Sequence, residues 1–130
     1  MSYILLIEPD RLLANTFEQA LSREGYEVIS VSTGQEAIYA IDERLPQLVV
    51  LELQLPAHNG LEFLYEFRSY PEWQEVPVII NTNISLNELA AAEDVLYNEL
   101  GVRSWHYKPK TTIKLLLRYV NDQLQERQPR

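Results

Sequence analysis

With 130 residues, 46% of them hydrophobic, and a net charge of −8, the chain has the size and apolar content of one folded domain. The acidic balance argues against the basic stripe that grips nucleic-acid phosphates or an anionic membrane, so neither is expected as a partner. The absence of cysteine excludes disulfides, thiolate chemistry and cysteine–zinc sites, and the two histidines, His58 and His106, have no metal-ligand spacing.

The chain opens with a short apolar run, Ser2–Ile7, that has no basic flank and does not read as a signal peptide. No segment approaches a membrane span, so a cytoplasmic protein is expected. Ser2–Ile7 reads as a strand, and Asp10 as the N-cap of a helix through about Glu24, with Leu13, Phe17 and Leu21 on one face and Gly25 as the stop. Glu27–Val31 is the second strand. Thr33 and Glu36 form a capping box before Ala37, Ile38, Ile41 and Leu45. Leu48–Leu53 is the third strand, followed by a helix from Asn59 to about Ser69. Val78–Asn81 is the fourth. Ser85 and Glu88 make a second capping box, for a helix carrying Leu89, Ala92, Leu96 and Leu100 up to Gly101. Ser104–Tyr107 is the fifth strand, and Thr111 or Thr112 opens a last helix with Ile113, Leu116, Leu117, Val120 and Leu124 at helical spacing.

Strand and helix alternate five times, and the first, third and fourth strands are almost wholly apolar, the pattern of a parallel sheet covered on both faces. The expected fold is α/β: a flavodoxin-like, doubly wound sheet of five (βα) units in the order 2-1-3-4-5. Residues 1–124 read as one domain and 125–130 as a polar tail.

In such sheets function collects at the carboxyl ends of the strands. Those ends carry Glu8, Pro9 and Asp10, then Glu52, then Thr82, then Lys108 and Pro109. Glu52 stands out as a charge between Leu51 and Leu53, at the end of a buried strand. Glu8, Asp10 and Glu52 are the expected acidic pocket, with Asp10 also suited to capping the first helix.

ILLIEPD, LELQLPAHNGLEFL, PVIINTN and GVRSWHYKP, in this order and spacing, resemble the receiver domain of two-component response regulators across nearly the whole chain. The resemblance implies a phosphoacceptor on the third strand, here Glu52. It implies two acids after the first strand that help hold Mg²⁺, and a hydroxyl and a lysine that contact the phosphoryl oxygens, here Thr82 and Lys108. It also implies a cis-type Lys108–Pro109 step, an aromatic switch at Trp105, and a partner surface on the fourth helix, fifth strand and fifth helix, including Tyr97, Trp105 and Tyr119. Its partners would be a histidine kinase, a phosphotransfer protein or a downstream effector, with homodimerisation through the same face left open.

This chain departs from that pattern at two positions. Glutamate replaces the acceptor aspartate at Glu52, moving the carboxylate by about one C–C bond, ~1.5 Å. Pro9 replaces the second acid. Mg²⁺ requires near-octahedral oxygens at about 2.0–2.1 Å, and phosphoryl transfer depends on positioning, so Mg²⁺ binding is expected to be weak or absent, and no other cofactor is expected. The expectation is a stand-alone pseudo-receiver that acts through protein contacts and is not an enzyme. Lys108 would lie between Glu8 and Glu52, and Glu52 would occupy part of the phosphoryl space. The alternatives are a receiver phosphorylated on Glu52 or another residue, and a small α/β enzyme using Glu8 and Glu52 as an acid–base pair. A flavin site fits poorly, because the first turn lacks a Gly/Ser/Thr-rich phosphate cradle. Trp73 reads as packing or partner contact, and His106 as a structural histidine.

Overall fold

In the computed structural model, which describes residues 2–126 (side chains to residue 125), five strands alternate with helices. The strands are β1 (Ile4–Ile7), β2 (Val28–Val31), β3 (Leu48–Leu51), β4 (Val78–Thr82) and β5 (Val102–Tyr107). All neighbours pair in parallel, in the order β2-β1-β3-β4-β5. The helices are α1 (Arg11–Arg23), α2 (Gly34–Glu43), α3 (Gly60–Arg68), α4 (Leu86–Leu89) and α5 (Ile113–Glu126).

Alternation along each strand builds two cores. Leu5, Ile7, Leu51 and Ile80 meet Ala37 and Ile41 of α2 and Phe63, Leu64 and Phe67 of α3. On the opposite face Leu6, Val50 and Ile79 meet Phe17 and Leu21 of α1 and Leu116 and Val120 of α5. Trp73 is buried against Tyr70 and Phe67, at centroid distances of 4.4 and 5.9 Å, so its role is packing. Among the described residues no helix is long and apolar enough to cross a membrane.

Caps fall where the sequence places them. Asp10 accepts from the N–H groups of Leu12 and Leu13, Thr33 from Glu36, Asn59 from Glu62 and Ser85 from Glu88. Gly25 and Gly101, both at positive φ, follow α1 and the fourth helical segment.

Four expectations are corrected. The fourth helix is not regular: α4 is one turn, followed by a 3₁₀ turn over Ala90–Ala92 and a π turn over Val95–Glu99. The wide turn, closed by Leu100 N–H to Val95 O at 2.9 Å, buries Leu96 and Leu100 and brings Tyr97 against Trp105. The Lys108–Pro109 bond is trans; Pro109 sits inside a 3₁₀ turn, Lys108–Lys110, so the intrinsic preference for trans prevails. α5 runs to Glu126, into the stretch read as tail, while residues 127–130 lie outside the described residues. β5 also begins earlier than expected, because Val102 pairs with Val78 ahead of a bulge.

The turn from β3 into α3 is tightly constrained. Gly60 N–H donates to Leu53 O at 2.7 Å, and a Cβ at Gly60 would lie 2.7 Å from Leu53 Cα. Gly60→Ala therefore forces backbone apart and is expected to lower unfolding free energy by about 1–3 kcal/mol in urea titration. An unchanged midpoint would show that this turn has slack.

Candidate functional site

Glu8 and Glu52 each stand one residue beyond a strand yet remain tied to the sheet. Glu8 N–H donates to Val31 O and Glu52 N–H to Ile7 O, both at 3.0 Å. Alternation puts Glu8 on the face of Ile4 and Leu6, and Glu52 on the face of Leu48 and Val50, so both acids emerge on the α1/α5 side. Both are 3% exposed.

Lys108, at the exit of β5, reaches between them. Its ammonium lies 2.5 Å from Glu8 Oε1 and 2.8 Å from Glu52 Oε1. The other carboxylate contacts come from backbone and hydroxyl. Glu8 Oε2 accepts from Asp10 N–H at 3.0 Å. Glu52 Oε1 also accepts from Asn83 N–H at 3.1 Å, and Oε2 from Gln54 N–H at 3.0 Å and from the buried Thr82 hydroxyl. Thr82 Oγ1 in turn accepts from Ile84 N–H at 3.2 Å, linking Glu52 to the chain that enters α4.

Burial alone would raise the Glu52 pKa. Hydrogen bonds from Lys108, Thr82 and Gln54 N–H, with the Lys108 charge, outweigh it and hold the carboxyl below its ordinary value. Glu52 is therefore ionised at neutral pH, inside the protein, with donors on both oxygens.

All four carboxylate oxygens of Glu8 and Glu52 accept hydrogen bonds, two of them from the Lys108 ammonium. Among the described residues no group of three or more His, Cys, Asp or Glu side chains is placed to hold a metal.

Glu8, Glu52, Thr82 and Lys108 thus come together, and Asp10 does not join them. Its carboxylate is exposed and caps α1; only its backbone N–H touches the site. Its early position in the turn explains this, because the cap needs the carboxylate turned back over Leu12 and Leu13. Pro9 supplies no oxygen from a side chain, and Pro109 is exposed in its 3₁₀ turn.

The three aromatic residues expected on one partner surface separate into two stacks. Trp105 packs against Tyr97 at 4.9 Å on the α3/α4 face. Tyr119 stacks on His106 at 3.9 Å on the α5 face, and His106 Nε2 lies 2.9 Å from Ser104 Oγ. Burial lowers the His106 pKa, which suits the structural histidine read from the sequence.

Sequence reasoning missed the backbone donors Gln54 and Asn83, because an N–H carries no side-chain signature. It also missed Arg11, whose guanidinium bonds the carbonyls of Glu8 and Val31 and pins the β1 exit; its only signal is its place one residue after the N-cap.

The comparisons with known proteins agree with the fold. The family model for the response regulator receiver domain matches residues 4–118. The phosphate regulon transcriptional regulatory protein PhoB of Rhizobium meliloti (strain 1021) is 30% identical over 115 residues, covering 88% of this chain. The chain spans about half, 49%, of that relative's length. The non-phosphorylated HemR receiver domain from Leptospira biflexa is 26% identical and superposes with a TM-score of 0.83, over 100% of this chain and 99% of its own. The receiver domain of sensor histidine kinase PA1611 from Pseudomonas aeruginosa PAO1, with a magnesium ion coordinated in its active site cleft, shares the fold at 23% identity and a TM-score of 0.81, over 95% and 98% of the two chains. With the fold, the lysine-centred site at the strand ends and a family match over most of its length, the chain belongs to the response regulator receiver domain family.

Proposed function

We propose that this receiver signals by protein–protein contact with its switch site held closed by Glu52, in place of a phosphoryl group on an aspartate. One observation carries the reading. The longer Glu52 side chain accepts simultaneously from Lys108, from the Thr82 hydroxyl and from two backbone N–H groups. A lysine and a strand-4 hydroxyl are what the family directs at phosphoryl oxygens, and here a carboxylate of the chain satisfies both. The acid pair carries two negative charges against one lysine, and Pro9 removes the third acid that would call for a divalent cation. Thr82 is then drawn toward the site permanently, and the β4–α4 connection is held through Ile84 N–H.

Phosphorylation of Glu52 is the disfavoured alternative. An incoming phosphoryl group would have to displace Lys108 and Thr82 from the nucleophile without Mg²⁺ to neutralise it. Acid–base catalysis by Glu8 and Glu52 fares no better: the two acids are joined through one ammonium, and the larger surface hollows are lined by other residues.

The reading has a direct test in Mg²⁺ titration followed by tryptophan fluorescence and thermal melting. The natural chain is expected to show no saturable response at millimolar Mg²⁺, and Pro9→Asp/Glu52→Asp to gain one. Saturable Mg²⁺ binding by the natural chain would contradict a site closed by its own lysine.

A further inference from the structure

The acidity of this chain is concentrated in one stretch. Residues 34–75, which carry α2 and α3, hold eight of the nineteen acids and only two of the eleven lysines and arginines, a net −6 within a total of −8. Both of those cations are committed. Arg44 pairs with Glu27 and lies over the Tyr3 ring, 4.6 Å from its centroid. Arg68 directs its guanidinium at the carbonyls of Trp73, Gln74, Leu100 and Gly101.

A hollow of about 440 Å³ opens between α2 and α3. The two helices close on each other at Gly34, where an added Cβ would lie 3.4 Å from Phe63 Cβ. Half-buried Ile38 and buried Phe63 form the floor, and the exposed Gln35, Tyr39, His58, Glu62 and Glu66 form the rim. Tyr39 is 63% exposed, and its hydroxyl accepts from Gln35 Nε2 at 3.0 Å, which fixes the ring at the edge of the hollow. Glu62 Oε2 lies 3.0 Å from His58 Nδ1, and Glu66 follows Glu62 by one helical turn. Like charges four residues apart repel and cost the helix stability, and no lysine or arginine lines the hollow to offset them. None of Glu8, Glu52, Thr82 and Lys108 lines it, and no residue of the fourth helix, fifth strand or fifth helix does.

We infer that this hollow docks an arginine-bearing segment of a partner protein, with an apolar side chain set on Ile38 and Phe63 and the guanidinium held among Glu62, Glu66 and the Tyr39 ring. A hollow of this size receives side chains of a segment, on the scale of a small-molecule pocket. Arginine suits it better than lysine. Its planar fork matches carboxylates, its face stacks on an aromatic ring, and it is the more weakly hydrated of the two cations. A bound guanidinium also removes the repulsion between Glu62 and Glu66, which the free protein leaves standing. The acid surplus over residues 34–75 draws basic segments toward this side and sets the encounter rate, while the apolar floor anchors them. The inference goes beyond the closed switch site and does not depend on it.

The test is selection of a random 12-residue peptide library on the full natural chain, followed by affinity measurement of the enriched peptides and mapping of the bound site by amide chemical shifts. Enriched peptides are expected to carry Arg beside Leu, Ile or Phe, and the shifts to cluster at Gln35, Ile38, Tyr39, Glu62 and Glu66. Affinity is expected to fall at least tenfold on Glu62→Gln/Glu66→Gln and on Tyr39→Ser, two surface variants whose circular dichroism should match the natural chain. Replacing the peptide's arginine by lysine, which leaves the protein untouched, is expected to cost at least threefold. Enrichment without arginine, shifts clustered elsewhere, or an affinity unchanged in Glu62→Gln/Glu66→Gln overturns the inference. So does tighter binding of spermidine than of any enriched peptide, which would make the occupant a small polycation. Self-association of the natural chain that Glu62→Gln/Glu66→Gln abolishes overturns it too, because the occupant would then be a second copy. The two proposals fail separately: saturable Mg²⁺ binding by the natural chain sinks the closed-site reading alone, and peptide shifts away from α2 and α3 sink this one alone.

Discussion

Lys108→Met is expected to lower the unfolding free energy at pH 7 by roughly 3–5 kcal/mol, the largest effect of any single substitution in the site. The reason is electrostatic. The Lys108, Glu8 and Glu52 side chains are 9%, 4% and 3% exposed, so removing the ammonium leaves two carboxylates facing each other with little water to screen them. The variant should recover as pH falls toward the carboxyl range, because protonating one acid removes the repulsion. Urea titrations at two pH values check both parts. A loss below about 1 kcal/mol, or a deficit that grows on acidification, would mean that the acids have another counter-charge.

Glu52→Gln isolates the other half of the network. Its folded pKa is held below the ordinary carboxyl value, so its ionisation stabilises the fold fully above about pH 4.3, the usual glutamate range, and that contribution is lost as pH falls through the depressed folded value. Glutamine cannot titrate. The stability gap between natural protein and variant is therefore widest at neutral pH, about 1–3 kcal/mol for the charge-assisted bonds from Lys108, Thr82, Gln54 and Asn83, and it narrows below pH 4. Parallel curves down to the lowest accessible pH would show that Glu52 gains nothing from its charge.

Much of this was legible in the residues themselves. Val49, Val50 and Leu51 are apolar on both faces, which only a covered parallel strand allows, and the helical periods between strands set the topology. A charge such as Glu52 at the end of such a strand needs a partner, and Lys108, one residue past the fifth strand, is the available cation. Asp10 was ambiguous: proximity to the sheet edge suggested the pocket, whereas the N-cap demands a carboxylate turned the other way, and the two donors at Leu12 and Leu13 prevailed. The breakup of the fourth helix was not legible, since Ser85 and Glu88 cap it as expected and Ala90–Ala92 are strong helix formers. Side-chain alternation separates Trp105 from His106, yet which ring each would stack on depends on α4 and α5 positions that no local pattern encodes.

The central claim, that Glu52 takes the donors a phosphoryl group would use, is tested most directly by intact-mass analysis of the natural chain after incubation with acetyl phosphate and Mg²⁺, beside Pro9→Asp/Glu52→Asp. The natural chain should keep its mass and the double variant should gain one phosphoryl group. A stable phosphoryl adduct on the natural chain that disappears in Glu52→Gln would contradict the claim and make Glu52 an acceptor.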